Sequence, residues 1–320
     1  MNSKDFAHSI GADLSRLEAT RQAIIAKRTK GFLAIALVVA VTLIFGLLGT
    51  TQGSPTGFLI ALFFGLIGIA ICFFVFFSNG ESSYRRAFKY EVVARMAKSL
   101  APNVIYQPSR MVDSSWFKRS GLFSGNVARY SGEDYFAGRI DKTDLFFSEI
   151  HAESKHTRTD ANGHTHTDYK TIFKGLFLVA DFHKEFQNEV FIQPDILEKF
   201  GSLGRKLQSL GGKVERMENP EFERLFKVTA NNPVEARYIL TPVMQERLVE
   251  LARLYSPQIR VSFRASMVFL AIPNTVDWFE ANLKTPANNS AQLQTIINQL
   301  RACFGLVEQL DLNTRIWTKE

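Results

Sequence analysis

For fifty residues, from Gly31 to Gly80, the sequence contains no Asp, Glu, Lys or Arg. Soluble cores rarely run so far without a charge, so this window is at odds with a buried core hairpin. Cysteine is nearly missing. Only Cys72 and Cys303 occur, which excludes a disulfide framework and fits a reducing compartment. Catalytic signatures are missing as well: there is no G-x-S-x-G and no H-E-x-x-H. The segment "FGSLGRKLQSLGGK" (Phe200–Lys213) imitates a phosphate loop. A true one needs glycine where Leu207 stands and Ser or Thr where Val214 stands, so it reads as a short helix ending in Gly211-Gly212. No solenoid repeat and no low-complexity tract is present.

Within the uncharged window lie two apolar runs, "FLAIALVVAVTLIFGLL" (Phe32–Leu48) and "FLIALFFGLIGIAICFFVFF" (Phe58–Phe77). A helix needs about 20 such residues, with ~17 as the lower limit, to cross ~30 Å of hydrocarbon. The second run is long enough, and Gly31 with Gly49–Thr51 extends the first. "GTTQGSPTG" (Gly49–Gly57) is the turn between them. A cleaved signal peptide is not expected, because thirty mixed-charge residues precede the first run and no small-x-small site follows it. Small residues four apart, Ala36 and Ala40 in one span and Gly57, Ala61 and Gly65 in the other, with Gly68 beyond, offer close helix packing within the hairpin or between copies.

The flanks are basic. Arg21, Lys27, Arg28 and Lys30 precede the first span; Arg85, Arg86, Lys89, Arg95 and Lys98 follow the second, against Glu81 and Glu91. The uncharged connecting loop therefore lies outside, and both termini face the cytoplasm. The net charge is +7. Six basic and three acidic groups put +3 of it on residues 1–30, leaving +4 for residues 81–320. That remainder argues against nucleic acid as a partner and for contact with anionic lipid near the bilayer.

Residues 1–30 carry Phe6, Ile10, Leu14, Leu17, Ile24 and Ile25 at helical spacing. Tyr84, Phe88, Val92, Met96 and Leu100 stripe a second juxtamembrane helix, which Pro102 ends. Beyond it the period shortens. "DYFAGRID", "KTDLFFSEIHAE", "TDYKTIFKGLFLVADF" and "EVFIQPD" read as strands. Asp195 with Glu198 predicts a capped helix, Leu225–Thr229 a strand, and Asn232-Pro233 and Thr241-Pro242 two helix starts. "QIRVSFRASMVFLAIP" predicts two strands about a tight Arg-Ala-Ser turn, and Ser290–Leu310 a last amphipathic helix. The fold class is α+β. An amphipathic helix (1–30), a transmembrane helical hairpin (31–80) and a stalk helix (81–101) lead into one mainly antiparallel α+β domain (102–320).

Two further segments raise questions of function. "SSWFKRSGLF" (Ser114–Phe123) sets Trp116 beside Lys118, so it suits a membrane surface together with Arg28, Lys30, Arg85 and Arg86, or else a core with a basic edge. "HAESKHTRTDANGHTHTDYK" (His151–Lys170) holds four of the six histidines. An Asn162-Gly163 turn would put His164 near Ala161 or Asp160, His156 near Tyr169, and His151 too far away to join them. His164 and His166 share a strand face. With Asp160 or Asp168 they could offer zinc at most a partial ligand set, and a solvated β-arm is the simpler reading.

"FKGLFLVADF" (Phe173–Phe182), "FKVTANNPVEARYILTP" (Phe226–Pro242) and "IRVSFRASMVFLAIP" (Ile259–Pro273), together with the hairpin, resemble an uncharacterised bacterial membrane-protein family. That family is a domain of unknown function often encoded beside LemA-type proteins. The resemblance implies a cytoplasmic domain on the bacterial inner membrane and a LemA-like partner; it implies no catalytic residues and no cofactor. The expectation is a non-enzymatic, membrane-anchored interaction or scaffold protein, a homo-oligomer or a LemA-like protein's partner. The rival is a membrane-bound metal-binding enzyme or sensor that uses the histidine arm.

Overall fold

The computed structural model describes residues 3–51, 55–77, 80–160, 164–182, 184–195, 213–274, 277–310 and 312. Its contacts divide the chain into two units, Met1–Arg95 with Glu280–Ile297, and Met96–Phe279 with Asn298–Glu320. The 102–320 domain expected from sequence thus surrenders Glu280–Ile297 to the N-terminal unit.

The first unit is helical. After a short α1 (Ser3–Ser9), α2 runs unbroken from Gly11 to Thr51 and carries both the amphipathic stretch and the first apolar run. α3 (Pro55–Phe77) is the second run. Both helices are long and apolar enough to cross a membrane, and most of their side chains are not buried inside the protein. α4 (Gly80–Phe88) leads into a π-helical turn, Lys89–Val93, and then α5 (Ala94–Leu100). The period of the stripe accounts for the π turn. Tyr84, Phe88 and Val92 are four apart, which overshoots a 3.6-residue turn; the wider turn absorbs part of the drift, and all three are fully buried.

Across the two helical stretches run three ion pairs: Arg28–Glu81 at 2.7 Å, Arg16–Glu91 at 2.6 Å and Arg95–Asp13 at 2.6 Å. The returning segment is held the same way. Glu18 accepts from Ala287 N at 2.8 Å, Arg21 donates to Leu283 O at 2.7 Å, and buried Lys89 meets Glu280 at 2.5 Å.

The second unit is built on a nine-stranded sheet in the order β1-β2-β3-β4-β9-β8-β5-β7-β6, antiparallel throughout the described pairs. Its strands are β1 (Val104–Gln107), β2 (Val127–Ile140), β3 (Thr143–Thr159), β4 (Thr165–Asp181), β5 (Val190–Pro194), β6 (Lys213–Glu215), β7 (Phe226–Ala230), β8 (Arg260–Arg264) and β9 (Met267–Pro273). Hence the α+β class expected from sequence holds. β8 and β9 join through Ala265 and Ser266, both at positive φ (49° and 57°), as a two-residue hairpin turn requires.

One sheet face is covered by α6 (Ser114–Arg119), whose Phe117, with Leu122, packs on Phe173, Phe177, Phe269 and Ala271. On another side Phe136 and Phe147 stack 4.7 Å apart and meet Phe304 edge-on at 5.9 and 6.0 Å. Phe304 sits on the last helix, α10 (Ser290–Gln309). α7 (Pro220–Leu225), α8 (Pro233–Ile239) and α9 (Pro242–Leu254) complete the unit. Each has proline at its first turn and a side-chain cap, from Asn219, Asn232 and Thr241 respectively. The helix expected after Asp195, the phosphate-loop look-alike and the Asn162-Gly163 turn lie outside the described residues, apart from Lys213 at the start of β6.

Candidate functional site

The α2–α3 hairpin is stitched by glycine on one side. Gly65 is buried against Thr42, and a Cβ there would overlap that side chain; one at Gly68 would stand 3.0 Å from Val38. Gly57 and Ala61 are partly buried beside them and line the same groove. On α2 the seam differs from the expectation. Ala36 and Ala40 are exposed, and Gly31, Val38, Thr42 and Gly46 face α3 instead. At 100° per residue, Ala36 is turned 200° from Val38, so the two cannot share a face.

The expected surface cations also sort themselves by partner. Arg28 and Arg85 both grip Glu81, each at 2.7 Å, and Arg85 reaches Glu280 at 3.0 Å. Lys30 and Arg86 are exposed, as is Lys27, and none of the three makes an ion pair among the described residues. Glu81, counted in the sequence as a charge against the basic flank, is a cross-helix partner. Its carboxyl is held below the usual range by hydrogen bonds from Arg28 and then Arg85.

Trp116 differs from a lipid-facing residue. Its ring is partly buried, edge-on to Phe146 at 5.2 Å, with the Arg119 guanidinium 5.1 Å above it. Lys118, two residues on, is exposed.

Histidines 151, 156, 164 and 166 lie along the β3–β4 arm in separate environments. His151 Nε2 is 2.9 Å from Thr171 Oγ1, and His156 Nε2 is 2.9 Å from Ser154 Oγ. His164 Nδ1 and His166 Nε2 approach the same Asp160 oxygen, at 3.5 and 3.3 Å. Described pairing runs Thr159↔Thr165 and His156↔Asp168, one step from the register that a two-residue Asn-Gly turn imposes. Among the described residues these three side chains do not form a ligand group within 4.8 Å. They make a polar cluster on an exposed stretch of the arm.

Sequence reasoning did not find two clefts of the second unit. One, of about 310 Å³, includes Glu149, His151, Lys174 and Asp277. Glu149 accepts from Trp278 N at 2.8 Å, and Lys174 pairs with Asp277 at 3.0 Å. The other, of about 760 Å³, spans the middle of β4 and the ends of β9, β8 and β5. A bulge shapes its edge: Ala152 pairs with Phe173 and Glu153 with Thr171, leaving Ile172 as the extra residue.

Residues 171–312 match a family described as a protein of unknown function, DUF3137. The DUF3137 match begins on β4 at the bulge and ends just past α10, so it takes in the lining of the 760 Å³ cleft except Phe123, but neither the hairpin nor most of the histidine arm. No curated protein matches the chain. Among solved structures, the crystal structure of the mycobacterial trehalose monomycolate transport factor A, TtfA, aligns over 71% of this chain and 97% of its own. The identity is 13% and the TM-score 0.34. At that overlap nothing of its role carries over.

Proposed function

We propose that this chain is a membrane-anchored, non-enzymatic assembly protein. Its hairpin sits in the bacterial inner membrane, and its α+β unit is cytoplasmic, binding a second copy or a LemA-like membrane protein. One observation carries the anchoring. Large apolar side chains of α2 and α3 point outward, Leu47 at 70% and Phe74 at 72% exposure, over lengths that match a bilayer. The exposed Lys27 and Lys30, just before the apolar run of α2, and Arg86 on α4, just after α3, suit anionic headgroups. Exposed Ala36 and Ala40 leave a small-residue strip of α2 open to another helix.

The test is purification from the native host in mild detergent, followed by particle-mass measurement and identification of co-purifying proteins. The reading expects an oligomer or a stoichiometric membrane partner. A monodisperse monomer with nothing bound would overturn it.

A second reading rests on Asp160 standing between His164 and His166: metal held by the arm. Elemental analysis of protein purified without a histidine tag decides it. Trace metal that is unchanged in H164A/H166A would end that idea.

A further inference from the structure

β8 carries two arginines four residues apart, and they are treated differently. Arg264 reaches the carbonyl of Arg119 and pairs with Glu189. Arg260 reaches the carbonyl of Leu122, Nη1 to O at 3.2 Å, and its guanidinium lies 5.1 Å from the Phe123 ring centre. Among the described residues Arg260 has no carboxylate partner and no other hydrogen bond. It lines the 760 Å³ cleft with Phe123, Ile172, Phe173, Pro194 and Tyr255, and no acidic side chain lines that cleft among the described residues. The second cation at the cleft, Lys174, is already held by Asp277.

A guanidinium partly withdrawn from water, with donors left over and apolar walls beside it, is an incomplete arrangement. Arg260 is partly buried and spends one donor on the Leu122 carbonyl, which leaves its other N–H groups available to an anion entering the cleft. Burial of Arg260 lowers its pKa, the response of a cation that has lost water and gained no anion. Arginine suits carboxylate and phosphate groups because its planar fork meets two oxygens at once. The volume falls within the usual ligand range, and the remaining wall is mostly aromatic and aliphatic. Polar groups to finish the headgroup contact stand nearby in Ser256 and Gln258.

We propose that this cleft binds an anionic amphiphile, with a carboxylate or phosphate on Arg260 and an acyl chain along Phe123, Ile172 and Phe173. The assignment does not depend on the hairpin's role as an anchor.

The experiment uses the full chain in nanodiscs of zwitterionic phosphatidylcholine, with a photoreactive palmitate that carries a diazirine in its chain. Illumination and peptide mass spectrometry are expected to place adducts on Ile172, Phe173 or Tyr255. Unlabelled palmitate should compete at least tenfold better than its uncharged methyl ester. R260Q should cut the adduct yield at least tenfold, and R260K should retain part of it. If R260Q fails to fold, the acid-against-ester contrast on the unaltered protein still decides. Adding phosphatidylglycerol to the discs distinguishes the source: competition assigns a membrane lipid, and none assigns a free fatty acid. Equal competition by acid and ester, adducts confined to α2 and α3, or no adducts at all would overturn the proposal.

Discussion

Glu18 shows how much one side chain can hold. It accepts from Arg21 at 2.7 and 2.8 Å, from Gln22 at 2.9 Å and from the Ala287 amide at 2.8 Å. Arg21's hydrogen bond first, with help from Ala287 and Gln22, brings its carboxyl down to about 2. A carboxyl lowered in the folded state stabilises fully above its unfolded value of about 4.3, and that contribution disappears as pH falls toward 2. Unfolding of the full chain, followed by circular dichroism in zwitterionic detergent, should show E18Q weaker by about 2 kcal/mol at pH 6. The gap should close between pH 4.5 and 2; a gap independent of pH would acquit the carboxylate. Cys303 is a second case. It is buried, and burial first, then the nearby Glu149 charge, pushes its thiol well above the ordinary value. In a C72A background, a maleimide should label Cys303 only as fast as the protein unfolds. Rapid labelling of the native protein would contradict its burial.

At the scale of elements the hairpin seam is the sharpest case. G65L should drive a side chain into Thr42 and destabilise the α2–α3 pair by about 1–3 kcal/mol. A36L and A40L, on the open face of α2, should stay within ~0.5 kcal/mol. Thermal unfolding of the three variants in one detergent separates the two faces, and equal losses would mean that Ala36 and Ala40 belong to the seam after all. Element types were largely legible here. Asn232-Pro233 and Thr241-Pro242 start helices where capping chemistry says they must, and aromatic, β-branched runs became β2 to β5. Faces were less legible. In α9, Leu248 and Leu251 are buried as their spacing implies, yet Val243 and Leu254 are exposed, and Met244 takes the inner place. Hydrophobicity reports that a residue can be buried; the packing partner selects which one is.

At the scale of the whole chain, the return of Glu280–Ile297 to the N-terminal helices is the feature most open to test. Lys89 and Glu280 form a pair with 4% and 16% side-chain exposure. Removing only one charge leaves the other withdrawn from water, so E280Q should lose about 3–5 kcal/mol. K89M/E280Q, which removes both, should recover most of that loss. A double variant as weak as the single one would show that the pair is not what binds the segment.

The sequence by itself determined the two long apolar helices, because an uncharged window of that length gives two runs long and apolar enough to cross a bilayer. It likewise determined the α+β class and most helix starts, since periodicity and capping are local properties of the chain. Only the tertiary structure decided which residues meet across distance. It gave Glu81 to Arg28 and Arg85, packed a partly buried Trp116 against Phe146, and spread the histidines along the arm. It also left Arg260 at a cleft whose walls come from four neighbouring strands and two loops. Such pairings carry no fixed spacing in the chain, so composition can supply the charges while the fold alone chooses their partners.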